Sequence, residues 1–184
     1  SAMRLPALFV LVAAVFAATA GLLSADDGKQ APSPEEQFKK KYAAYKTKIA
    51  DEYFTLGDGV HKKKQYATAK EAFEIGILHD PEHAKTRQKL GFKKQGSAWV
   101  RDSSIKVYTA DDDKGDPDGR VADKYKSDRT KTEKKLADEA YKLGKWCSDV
   151  KLIADSAKLY REAIDWDNNH ADARKGLGHR KEGV

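Results

Sequence analysis

From residue 33 onward the apolar residues fall at helical spacing. Phe38, Tyr42, Tyr45, Ile49, Leu56 and Val60 recur at steps of three, four and seven, which puts them on one face of a long helix. Ser33-Pro34-Glu35-Glu36 supplies its start, with a cap, a proline at the first helical position and a glutamate placed for a capping box. A second helix carries Tyr66, Ala69, Phe73 and Ile77 on its buried side. Asp80-Pro81-Glu82 reads as a fresh cap with a proline, opening a short third helix that stops near Leu90-Gly91. The period then changes. Phe92–Val100 fits a small hairpin, and Ile105–Thr109 alternates as a half-buried strand would. Asp111–Gly119 is an acidic loop containing glycine and proline, expected to be mobile and to divide the chain into halves. Thr130-x-x-Glu133 is another capping box, so helices are expected to resume at residue 130.

The second half repeats the first. A shift of 87 residues lays Lys48–Gly96 over Lys135–Gly183 without a gap, with 17 of 49 pairs identical. Lys48-Ile-Ala-Asp-Glu matches Lys135-Leu-Ala-Asp-Glu, Leu56-Gly57 matches Leu143-Gly144, and His83-Ala84-x-x-Arg87-x-x-Leu90-Gly91 matches His170-Ala171-x-x-Arg174-x-x-Leu177-Gly178. Asp167 takes the place of Asp80. The pattern is therefore helix, helix, short helix, twice, around an insert.

Tyr53-x-x-Leu56-Gly57-x-x-Val60, then Ala69-x-x-x-Phe73, Gly76 and Pro81 resemble the tetratricopeptide repeat, a helix–turn–helix unit of about 34 residues. The first unit would run from Ala50 to His83. The second, Ala137–His170, keeps Leu143, Gly144, Tyr160 and Ala163 and departs at Ala140, Cys147, Ser156 and Asn168. Small residues at Gly57, Ala69 and Gly76 would let two helices approach closely, and the large ones would fill the seam. The helix ending in Leu90-Gly91, the aromatic Phe92 and Gly96-x-x-Trp99-Val100 together also resemble a module found in exported bacterial proteins. The expected fold is mainly α: two tetratricopeptide-like units with following short helices, and a small hairpin and loop insert between the copies. The expected segments are 1–25, 26–91 with a preceding helix, 92–129 and 130–184.

That resemblance implies a concave surface lined by the first helix of each unit, able to hold a peptide or partner protein. Carried over position by position, its exposed residues would be Asp51, Phe54, Asp58, His61 and Lys62 in the first copy and Asp138, Tyr141, Lys145, Ser148 and Asp149 in the second. Phe54 and Tyr141 would be the aromatic anchors, with Tyr53 and Ala140 beside them turned toward the second helix. Members of the family that clamp a C-terminal carboxylate have asparagine where Asp58 and Lys145 stand here.

Composition narrows the class. With 35% charged residues and a mean hydropathy of −0.76, a polytopic membrane protein is excluded. Residues 1–25 differ from the rest. Ser1-Ala2 before Met3 reads as a cloning scar, and Arg4 followed by the apolar Leu5–Ala18 and Ala18-Thr19-Ala20 has the form of a secretory signal. Cleavage after Ala20 or Ala25 would export the globular part to a periplasmic or extracellular space. The competing reading keeps the stretch as an N-terminal membrane anchor.

Candidate chemistry is sparse. A single cysteine, Cys147, excludes an intramolecular disulfide framework and multi-cysteine metal sites. It stands where the first copy has Val60, as a small core residue would. The run Asp111–Gly119 fails as a calcium loop, because Lys114 and Tyr125 occupy positions that need acidic ligands. His79, His83 and His170 flank helix starts, which favours structural roles over metal. No nucleophile triad, phosphate loop or paired catalytic carboxylates can be singled out, so neither enzyme, cofactor nor metal is expected. The net charge of +6 is spread out and carried mostly by lysine. Runs such as Lys62–Lys64 read as solvated helix faces, and nucleic acid is not an expected partner. The function expected is noncatalytic protein binding through Phe54, Asp58, His61, Lys62, Tyr141 and Lys145. The alternative is electrostatic attachment to an acidic polymer or surface.

Overall fold

The computed structural model describes residues 31–178, so the leader assigned to residues 1–25 and the last six residues lie outside it. The described chain is mainly helical: α1 (Pro34–His61), α2 (Tyr66–His79), α3 (Ala84–Lys89), a hairpin of β1 (Phe92–Gln95) and β2 (Ala98–Arg101), a 3-10 turn over Ala110–Asp112, then α4 (Arg120–Asp149), α5 (Ile153–Trp166) and α6 (Ala171–Gly176). No helix among the described residues is long and apolar enough to cross a membrane.

Local chemistry sets most of these boundaries. Ser33 accepts from the Glu36 amide and Glu36 reaches back to the Ser33 amide, so α1 opens on a complete capping box. The hairpin pairs Phe92 with Arg101 and Gln95 with Ala98, and Gly96 takes the left-handed turn with φ of 59°. Lys64 and Lys151, equivalent in the two copies, both have positive φ where the first helix ends and the second begins.

Four expectations are corrected. Asp80 is the C-cap of α2, and its carboxylate accepts from the Glu82 amide in a local turn; the third helix is capped instead by His83, which accepts from the Thr86 amide. Asp167 and His170 repeat the arrangement before α6. Secondly, α4 begins at Arg120 rather than at residue 130. Gly119 makes the turn in left-handed backbone, and Val121, Tyr125, Thr132 and Leu136 carry the apolar stripe through residue 130, where Thr130 merely bonds back to Lys126. Thirdly, Ile105–Thr109 pairs with no strand, and Ile105 sits in a bend; its contacts are made by side chains, such as Val107 over Gly91 and Tyr108 on Tyr66. Fourthly, the acidic loop is tied down. Lys114 donates its amide to Lys64, and Asp113 accepts from the amides of Tyr66 and Ala67, capping a helix whose own N-cap, Gln65, makes no side-chain cap.

One continuous core joins both copies, with Tyr45, Ile49, Tyr53, Phe73, Leu136 and Tyr160 buried in it. Gly57 and Gly144 let the second helix close on the first, since a Cβ there would sit 2.6 Å from Phe73 and 2.9 Å from Tyr160. The copies meet along α1 and α4, which run antiparallel: Lys41 lies over Trp146, Lys48 pairs with Glu139 and Tyr53 bonds Glu133.

Candidate functional site between the two long helices

The residues assigned to an inner groove are distributed unevenly. Phe54 is half-buried, 5.8 Å from Phe73 and 6.0 Å from His83; Tyr141 repeats this with Tyr160 at 5.6 Å and His170 at 5.1 Å. Neither is the exposed side chain expected, because the capping histidine of the short helix folds back over each. Their neighbours Tyr53 and Ala140 are fully buried, but Tyr53 turns to the other copy, bonding Glu133 and packing on Trp166. Asp58 accepts from Lys62 and Lys89, which hold its carboxyl below the usual range. His61 is covered by Tyr66 and by Tyr108 from the insert, and burial lowers its pKa ahead of the effect of Lys89. Lys62 is exposed apart from its pair with Asp58, and Lys145 is exposed.

Asp51 and Asp138, also expected in that groove, are exposed and lie 3.1 Å from His83 and 3.3 Å from His170, the capping histidines. Cys147 is fully buried, and burial, then Asp155, pushes its thiol up to about 11, the opposite of an activated nucleophile. Among the described residues no three His, Cys, Asp or Glu side chains gather as a metal site.

A different recess opens between α1 and α4. It measures about 520 Å³, with Leu56, Val60, Val121 and Tyr125 on its apolar walls. Lys63, Arg120, Lys124, Lys131 and Lys135 stand around it against only two carboxylates, Glu52 and Asp128. Lys124 pairs with Asp128 and Arg120 with Asp118, whereas Lys63, Lys131 and Lys135 enter no ion pair among the described residues. This half-enclosed trough presents apolar surface beneath uncompensated positive charge, which suits an amphipathic ligand of acidic character.

The trough has a mate. A second recess of about 380 Å³ lies further along the same helix pair, lined by Lys41, Ala44, Tyr45, Lys48, Glu139, Lys142, Leu143 and Trp146. All eight residues have their 87-residue counterparts in the trough, so the two recesses are related by the approximate two-fold that exchanges the copies. Sequence reasoning missed both. The duplication was visible, but the antiparallel pairing of α1 with α4 that creates the recesses is a tertiary event. No family model matches the chain, and no curated relative matches it either.

Proposed function

We propose that this protein is a noncatalytic interaction module that receives a partner protein in the trough between the first helices of two tetratricopeptide-like units. The carrying observation is the trough itself: ligand-sized, apolar-floored and rimmed by lysines of which three, Lys63, Lys131 and Lys135, enter no ion pair among the described residues. What supports the repeat-family reading is the close approach at Gly57 and Gly144, where that family places small residues. The residues carried over from the resemblance contribute less than the trough, because Phe54, Asp58 and His61 are engaged within the chain. Export to the periplasm or beyond is part of the proposal and rests on the leader's sequence alone.

The rim's five cationic side chains against two carboxylates also favour the alternative, attachment to an acidic polymer. A photoreactive residue at Lys131, beside the trough, and another at Lys39, on an exposed face of α1, separate the readings when irradiated in the native host. The proposal expects one protein adduct, identified by mass spectrometry, from position 131, persisting at physiological salt, and none from position 39. Equal labelling from both positions, or loss of all labelling as salt rises, would leave the electrostatic alternative.

A further inference from the structure

Gly59 lines the trough. Its counterpart in the mate recess is Trp146, which lines that recess with the Lys41 ammonium 5.1 Å from its ring centroid. Glycine in a helix is unfavourable relative to alanine and usually has a packing reason. Gly57 has one, since a Cβ would collide with Phe73. A Cβ at Gly59 would meet nothing within 4 Å. Packing does not demand glycine there, and its missing side chain leaves unfilled the position from which an indole lines the other recess.

We infer that the trough takes an aromatic side chain, an indole by preference, presented by a helical partner segment with acidic flanks. This rests on the reading of the trough as the partner site and names the partner's chemistry. The ring would lie on Leu56, Val121 and Tyr125. Asp128, paired with Lys124, stands where Lys41 stands in the mate, so the cation that Lys41 sets over an indole there has no equivalent at that position in the trough. Lys63, Lys131 and Lys135, without ion pairs of their own among the described residues, would meet the acidic flanks and the ring face. The trough runs along Glu52–Val60 of α1, about 12 Å of helix, which matches a partner segment of about two turns.

The test titrates the isotope-labelled full chain with a synthetic helix-forming acidic peptide holding one central tryptophan, with the same peptide carrying alanine there, and with dodecanoate. The tryptophan peptide is expected to shift the amides of Leu56, Gly59, Val121 and Tyr125 and to bind at least about tenfold more tightly than the alanine peptide. Gly59→Trp, which builds the indole in place, is expected to keep the circular dichroism spectrum and lose binding by about the same factor. Should Gly59→Trp fail to fold, the double variant Lys63→Glu with Lys131→Glu, both on the exposed rim, is expected to lose the peptide instead. Equal affinity for both peptides at the trough amides would overturn the aromatic occupant and leave the trough as the site, whereas undiminished binding to the variants would remove the trough as well. Movement of the trough amides by dodecanoate and not by the peptides would assign an acyl chain instead. Peptide shifts confined to amides away from the trough would remove both the occupant and the site.

Discussion

His79 and Trp166 hold the same position in the two copies, and their rings meet with centroids 5.4 Å apart. A residue can touch its own counterpart only near an axis that exchanges the halves, so this pair marks the approximate two-fold of the molecule. Other contacts follow the same operation: Arg129 bonds Glu71 at 3.2 Å, and their counterparts, Lys158 and Tyr42, form a cation–π contact at 4.6 Å. The duplication thus folds as an internal dimer, in which α1 and α4 play the part of a subunit interface. One sequence difference between the copies falls in the recesses along that interface, Gly59 against Trp146.

Protonation of His79 should loosen this interface. Burial, and secondarily Lys46, lowers its pKa in the folded state, so the unfolded chain takes up the proton more readily. The stabilising contribution is complete above the unfolded imidazole value of about 6.5 and is lost as pH falls from there toward the folded value. Melting temperature is expected to decline between about pH 7 and about pH 5, and less steeply in His79→Gln. A melting temperature that holds or rises over that window would place His79 in solvent.

Asp113 should behave as a helix cap supplied from a distance. Asp113→Ala removes the acceptor for the Tyr66 and Ala67 amides and is expected to cost about 0.5–2 kcal/mol in denaturant unfolding. Hydrogen exchange at those two amides should accelerate, because α2 has no side-chain cap of its own. Unchanged exchange would mean that the insert does not engage the first copy in solution.

Two glycines only two residues apart, on opposite faces of α1, should respond to alanine with opposite signs. Gly57→Ala forces a Cβ to within 2.6 Å of Phe73, which is almost wholly buried and has no room to move; overpacking of this kind costs about 1–3 kcal/mol. Gly59→Ala meets open space and is expected to stabilise the helix by about 0.5–1 kcal/mol. Chemical denaturation of the two variants checks the pair, and equal effects would contradict the packing of α2 on α1.

What the sequence by itself determined is what neighbouring residues decide among themselves. The capping box at Ser33 and Glu36, the hairpin around Gly96 and the order of helices in each copy depend on contacts a few residues apart, where spacing and backbone preference act directly. The duplication was legible too, since it needs only comparison of the chain with itself. Tertiary structure decided the rest. It extended α4 back to Arg120, because burial of Val121 and Tyr125 against α1 outweighs the capping signal at Thr130. It turned Phe54 and Tyr141 inward beneath His83 and His170, and it carried Asp113 to the start of α2, 47 residues away in the chain. The trough and its mate belong to the same class: they exist only where one copy's helix lies antiparallel to the other's, and the energy that selects this arrangement comes from apolar surface shared between residues nearly ninety positions apart.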